Sequence, residues 1–339
     1  MKRACISADL AFLFLCWPIL AIAMNTSVSM AAPLDRATIS PSQHVSIAEY
    51  RIPTRESDPS HVTVGPDGSA WFTEEHANQI GRITSGGNIT QFPLPHHKGQ
   101  QVKPVGITTD PDGNLWFTEY EANQIGRITP TGTITLFKIR RRSSEPWSIT
   151  TGPDGNLWFT QQAANLIGRI TPSGIIREFA VPTPKSGLFD ITAGPDGNLW
   201  FTEKAASKIG RITRGGKVTE FPISGNTIPY DITSGPDGNL WFTQETNFIG
   251  RITPGGKITQ FQIPTVLGRP EGITTGPDGE LWFTEYADNQ IGRVTLSGKF
   301  DQFPIPTAGS CPVDITYGAD GRLWFTEYEA NQIGRVTVH

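Results

Sequence analysis

Cysteine is scarce in this chain: three in 339 residues, Cys5, Cys16 and Cys311. Methionine is as rare, also three, which is few for a large helical core. Charged side chains make up 18% of the sequence, against about 25% in ordinary soluble domains. Lys+Arg at 28 against Asp+Glu at 32 gives a net charge of −4. That balance excludes a polybasic nucleic-acid binder, which needs clustered positive charge to displace counterions. Long apolar runs are missing too. The longest, Leu10 to Met24, has 15 residues, fewer than the ~20 of a spanning helix, so no membrane span is expected. There is no Gly-rich phosphate loop, no Cys/His zinc spacing and no Gly-x-Ser-x-Gly elbow, and no organic cofactor is expected.

The short apolar run has a different use. Lys2 and Arg3 precede it, and small-residue sites follow at Ala21-Ile22-Ala23 and Ser29-Met30-Ala31. This is the pattern of a cleavable secretory signal, so residues 1–31 are read as a signal peptide and 32–339 as one folded domain, secreted or periplasmic. Cys5 and Cys16 would leave with the signal. Cys311 would then stand alone as a small buried hydrophobe, with no intrachain disulfide.

What the chain has in quantity is glycine (36), proline (27) and tryptophan (9). The block Gly-Pro-Asp-Gly-x-Leu-Trp-Phe-Thr-Glu recurs with small changes, carrying Trp71, Trp116, Trp158, Trp200, Trp241, Trp282 and Trp324 at spacings of 45, 42, 42, 41, 41 and 42. A second block, Ile-Gly-Arg-Ile-Thr, follows each one. A period near 42 built of short strand patterns means a β-propeller and not a helical solenoid. Each repeat divides into four strands. In the third, a is Trp147 to Thr150, b is Leu157 to Thr160, c is Ile167 to Thr171 and d is Ile175 to Val181, with Pro and Gly supplying the turns. The C-terminus follows a c strand, and an orphan d strand, Ser46 to Pro53, opens the mature chain. The fold expected is therefore all-β: a seven-bladed propeller of four antiparallel strands per blade, with the N-terminal strand completing the last blade and removing the open edges. A monomer is expected.

Residues present in every blade serve the blade. The repeated Arg is expected to pair with a carboxylate or pack its stem, the turn Asp to shape its turn, and the Trp-Phe pairs to fill the space between blades. Function belongs where the repeats differ. Pairing Thr150 with Trp158 places Trp147 opposite Gln161, at one rim of the channel. The residues after Trp-Phe-Thr then read Glu74, Glu119, Gln161, Glu203, Gln244, Glu285 and Glu327, a ring of five carboxylates and two amides. Crowded carboxylates repel unless protons or a cation intervene, so Glu74, Glu285 and Glu327 are candidate ligands for Mg²⁺ or Ca²⁺; local pairing of each Glu is the alternative. The facing strand-a residues include Trp147, Phe189 and Tyr230 from three successive blades, an aromatic arc suited to a ligand pocket, opposite a more acidic side at Glu271 and Asp314. His61 beside this rim is a candidate base. The loops add His76, His96, His97, Lys98, Lys103 and Arg140 to Arg142 to a basic sector.

The two repeated blocks closely resemble those of the streptogramin B (virginiamycin B) lyases, over roughly residues 45–339. The resemblance implies opening of a cyclic depsipeptide antibiotic by elimination across its ester, with Mg²⁺ held by two Glu, one His as general base and a second His touching the substrate. The two His positions fall here on Glu271 and Val313; the Glu positions fall on Cys311 and Glu327. The function expected is a secreted propeller of this type without the catalytic His, binding a small molecule, peptide or glycan on the rim of one face. The alternative is an enzyme at the same place, either a magnesium-dependent lyase acting on a substrate such as virginiamycin B or a metal-dependent ester or lactone hydrolase, with His61 or Glu271 as a relocated base.

Overall fold

The computed structural model describes residues 44–96, 99–265 and 268–339. The expected signal peptide and the loop residues His97 and Lys98 lie outside them. Seven four-stranded antiparallel sheets follow one another in chain order. In the third blade, Pro146–Thr151, Leu157–Gln161, Leu166–Ile170 and Ile176–Ala180 run from the channel outward as strands a to d. Strand a of each blade contacts strand a of the next, and blade seven contacts blade one. The ring is therefore closed.

The last blade is built as the sequence predicts. Its inner strands are Pro312–Tyr317, Leu323–Glu327 and Gln332–Val338, and the N-terminal strand Val45–Arg51 supplies the fourth. That strand pairs in register from Val45 opposite Val338 to Arg51 opposite Gln332.

The core sits between blades. Each strand-b Trp is buried against the Leu, Phe and strand-c residue of the following blade. Trp71 clusters with Leu115, Phe117 and Ile128, and Trp324 closes the circle against Ala70, Phe72 and Ile83. Every indole also stacks on a strand-d ring, as Trp158 does on Phe179 at 5.5 Å, except Trp324, which meets Tyr50 at a tilt. The Arg and Asp of the repeats serve this packing. Arg169 lies 5.5 Å over Trp158 and 3.6 Å from Asp154, while Trp158 Nε1 donates to Asp154 at 3.0 Å. Burial opposes ionisation of Asp154, but hydrogen bonds from Trp158 and Asn156 hold it below the usual carboxylate range. Arg and Asp are thus structural here, as expected.

One register detail differs from the sequence reading. Thr150 does pair with Trp158, but Gln161 faces Pro146 and not Trp147, because a β-bulge intervenes between Pro146 and Ile149. All seven blades carry this bulge. It frees the strand-a residue from the ladder and re-aims its side chain. Cys311 is fully buried, as expected, but it is disulfide-bonded where no disulfide was expected; the other two cysteines, Cys5 and Cys16, lie outside the described residues.

Candidate functional site: a cavity over the central channel

The strand-b threonine fixes the rim of the channel. In blade two, Thr118 Oγ1 accepts the Gly106 amide of its own strand a at 2.9 Å and donates to the carbonyl of Trp147 in the next blade at 2.6 Å. The donation repeats around the ring, Thr160 to Phe189, Thr202 to Tyr230 and Thr326 to Ser60 among others. Each bulged residue is held by its backbone, and the side chains of Ser60, Trp147, Phe189, Tyr230, Glu271 and Val313 face the channel mouth, while Val105 is buried.

There the side chains enclose a cavity of about 570 Å³. Trp147, Phe189 and Tyr230 form one wall as a continuous arc, with ring centroids 5.0 and 5.2 Å apart. Tyr120 meets the far edge of Trp147 at 5.6 Å. The arc is ringed by cations. Lys204 Nζ lies 4.1 and 4.0 Å from the Phe189 and Tyr230 centroids. Lys103 reaches Tyr120 and Trp147 at 5.1 and 5.7 Å. Arg269 sits over Tyr286 at 4.9 Å, donates to the Tyr230 hydroxyl at 3.1 Å and pairs with Glu271 at 3.3 Å. Burial, with Glu271 nearby, pushes the Tyr286 phenol up to about 12.

Across the cavity lie Glu56, Asp58, Glu75, Tyr328 and Glu329, from blades seven and one. Tyr328 donates to Asp58 at 3.2 Å and Lys103 pairs with Glu75 at 3.5 Å. Burial raises the pKa of both carboxyls, Asp58 and Glu75. His61 stands between the two walls, 6.5 Å edge-on from Trp147, with Nδ1 2.9 Å from Ser60 Oγ. Burial outweighs the attraction of Asp190 and lowers its pKa to about 4, so the imidazole is neutral at pH 7.

The floor is a second tier of strand-a residues. Asp190 accepts from Ser148 Oγ at 2.5 Å and from the Ile232 amide at 3.1 Å. Asp231 accepts the Ile273 amide, and Asp314 the Val62 amide. Each stitches one blade to another. Burial keeps Asp231 protonated far above the ordinary range and brings Asp314 to about 7.

The expected residues thus separate into two groups. The cavity brings together His61, Trp147, Phe189, Tyr230, Glu271, Val313 and Asp314. Glu74, Glu285 and Glu327 do not line it. They lie on the same face of strand b as the buried Phe, because side chains alternate along a strand, and that face packs inside the ring of blades. Glu74 accepts from Gln91 at 2.7 Å, and Glu285 from Thr265 and Gln302 at 2.6 and 2.8 Å. Glu327 is buried near Glu49 with neither oxygen in a hydrogen bond. Burial raises all three, to about 7 for Glu74 and about 8 for Glu327. Among the described residues no three His, Cys, Asp or Glu side chains are placed to hold a metal ion, so Glu74, Glu285 and Glu327 do not form one three-ligand site. The basic sector is also smaller than expected. Lys103, His61 and His76 reach the cavity, while Arg140 lines a separate surface depression. Sequence reasoning missed Glu75, Arg269, Tyr286 and Tyr328. For all but Arg269 the signal was there in the residue after each Trp-Phe-Thr-x, which changes from blade to blade.

Fold and cavity together define a seven-bladed propeller with a ligand-sized site over one end of its channel. Residues 37–197 and 146–339 each match the model of the virginiamycin B lyase family, and the chain belongs to that family. The selenomethionine-substituted virginiamycin B lyase of Staphylococcus aureus is 41% identical and superposes with a TM-score of 0.83, over 87% of this chain and 100% of that one. A streptogramin B lyase structure is 38% identical, with a TM-score of 0.83 over 87% and 98% of the two chains. The curated virginiamycin B lyase of Bordetella pertussis matches at 39% over 56 residues, 16% of this chain and 19% of that protein; this stretch is well short of its full length. Among the described residues no helix is long and apolar enough to cross a membrane.

Proposed function

We propose that this protein is a ligand-binding propeller, on the lyase scaffold but without the family's catalytic histidine, which takes a small molecule, peptide or glycan in the rim cavity. The observation that carries this reading is the arc Trp147–Phe189–Tyr230, three rings from three blades forming one wall of a cavity with polar groups opposite. Apolar walls with a few convergent polar groups are how small-molecule sites are built. At the positions matching the family's two His stand Glu271, already paired to Arg269, and Val313, which has no proton-accepting atom. The secretory signal read in residues 1–31 supports a ligand met outside the cytoplasm.

A second reading is supported by a different observation. The Ser60 hydroxyl lies 2.9 Å from His61 Nδ1, and His61 Nε2 has no hydrogen-bond partner among the described residues. A neutral imidazole held this way has a lone pair available as a general base. It would take the proton on the alcohol side of the ester, from the carbon next to the one that carries the ester oxygen, as a C=C bond forms between those carbons, the C–O bond breaks and the ester leaves as a carboxylate at the other end of the opened ring, with no water consumed. Mg²⁺ or Ca²⁺ has no supporting donor set, and no step is routed through either.

Chromatography with mass detection on a streptogramin B antibiotic incubated with the protein separates these readings. A bound but unaltered antibiotic, with affinity lost in Trp147→Ala, is the result expected. A new peak of the same mass means elimination and refutes pure binding. A peak heavier by one water means hydrolysis. Adding Mg²⁺ or Ca²⁺ to metal-stripped protein is expected to leave the melting temperature unchanged, since an ion that binds the folded state must raise it.

A further inference from the structure

The cavity is asymmetric in charge. Its lining carries eight carboxyl groups against two permanent cations, Lys103 and Arg269. Both cations are already engaged. Lys103 pairs with Glu75 at 3.5 Å, and Arg269 with Glu271 at 3.3 Å and Glu245 at 3.7 Å. The floor carboxyls are occupied by backbone amides of neighbouring blades. What remains is the wall formed by blades seven and one. Glu56 and Glu329 have no ion pair among the described residues, and Asp58 has the Tyr328 hydroxyl as its hydrogen-bond donor. Glu75, His76 and Tyr328 are the other titratable groups on that wall, and Glu75 already pairs with Lys103. Directly across the channel stands the aromatic arc of blades three to five. One wall is thus apolar and ring-lined, and the other carries negative charge that the protein leaves uncompensated.

We infer that the ligand is an amphipathic organic cation: an amine or guanidinium on an aromatic or aliphatic body, with its apolar part against Trp147, Phe189 and Tyr230 and its positive end toward Glu56, Asp58 and Glu329. This deepens the binding reading proposed above and rests on it. A neutral cyclic ligand or a sugar would use the arc but leave the opposite wall unanswered. An anion would be repelled by it. Complementary charge across a cleft sets which partner is accepted and how fast it arrives. The lysines and arginine over the rings set the orientation, since a ligand cation placed there would meet Lys103, Lys204 or Arg269.

Three probes of one shape and different charge test this: tryptamine (positive), tryptophol (neutral) and indole-3-propionate (negative), titrated calorimetrically into the full protein at low ionic strength. Tryptamine is expected to bind at least tenfold more tightly than tryptophol, and indole-3-propionate most weakly. The tryptamine advantage should shrink on adding salt. The exposed pair Glu56→Gln and Glu329→Gln, whose replacement leaves the core untouched, is expected to narrow the tryptamine-to-tryptophol ratio. Trp147→Ala is expected to weaken all three. Equal affinity for tryptamine and tryptophol overturns the charge inference and leaves the cavity reading standing, and so does a preference for the acid. Binding indifferent to Trp147→Ala places the probes elsewhere and overturns it as well. No binding by any probe removes the inference and the cavity reading together.

Discussion

The strand-c glycine opposite each buried Phe offers a sharp test of how the blades are packed. A Cβ added at Gly168 would lie against three atoms of the Phe159 ring, Cζ, Cε2 and Cε1, well inside the 3.4–4 Å of ordinary contact. Phe159 is fully buried and clusters with Trp116, Ile149 and Leu157, so the ring has nowhere to go. Overpacking of this kind costs about 1–3 kcal/mol, and the rigid surroundings put Gly168→Ala near about 3 kcal/mol. Phe159→Leu removes the clashing ring atoms at a cost of about 1.5 kcal/mol, the upper range for a hydrophobic swap. If the clash is the whole reason for the glycine, the double variant should lose only about 1.5 kcal/mol, roughly 3 kcal/mol less than the sum, at the upper end of interactions between touching residues. Equilibrium urea unfolding followed by tryptophan fluorescence reads all four proteins, with midpoints compared at constant m. Additivity within about 0.5 kcal/mol would refute the reasoning and assign the glycine to backbone conformation.

Two further outcomes are expected. Glu327 is held protonated by burial and by Glu49, with a pKa of about 8 against 4.5 when exposed. Because the folded state keeps a proton the unfolded chain loses, its contribution is complete below pH 4.5 and fades as pH rises to 8. Glu327→Gln, the residue type found at the same place in blades three and five as Gln161 and Gln244, should flatten the fall in melting temperature across that window; parallel curves for the two proteins would count against the assignment. Deleting residues 44–53 removes the strand paired to Gln332–Val338 and leaves blade seven with a bare edge. Size-exclusion chromatography should show dimers or aggregates, and a clean monomer with unchanged melting would mean that the closing strand is dispensable.

The fold was legible because its determinants repeat. Seven Trp-Phe pairs and seven Asp-Gly turns, six of them Pro-Asp-Gly, report the same geometry seven times, and the orphan strand at Ser46–Pro53 announced its own partner. The site was only half legible. Trp147, Phe189 and Tyr230 stand in one column of the repeat, and variation in that column was the signal. The bulge after Pro146 is invisible in alternation, and without it the Glu74–Glu327 column was turned toward the channel when strand parity turns it between the blades. Arg269 and Tyr286 flank the open end of one hairpin in blade six and meet ring to guanidinium, and His61 follows Ser60 in a strand whose register the bulge alters. Contacts of that sort depend on side-chain direction, which spacing in sequence does not carry.

The threonine belt has one more consequence. Thr118, Thr160 and their counterparts grip the peptide bond that follows the rim residue, one donating to the rim residue's carbonyl and another accepting the next residue's amide, and the grip is indifferent to what the rim residue carries beyond Cα. Serine, valine, tryptophan, phenylalanine, tyrosine and glutamate all occupy the same socket in this one chain. The ring behaves as a rack of seven interchangeable tool holders, in which the specificity of the mouth can be rewritten one blade at a time while the rack itself stays true.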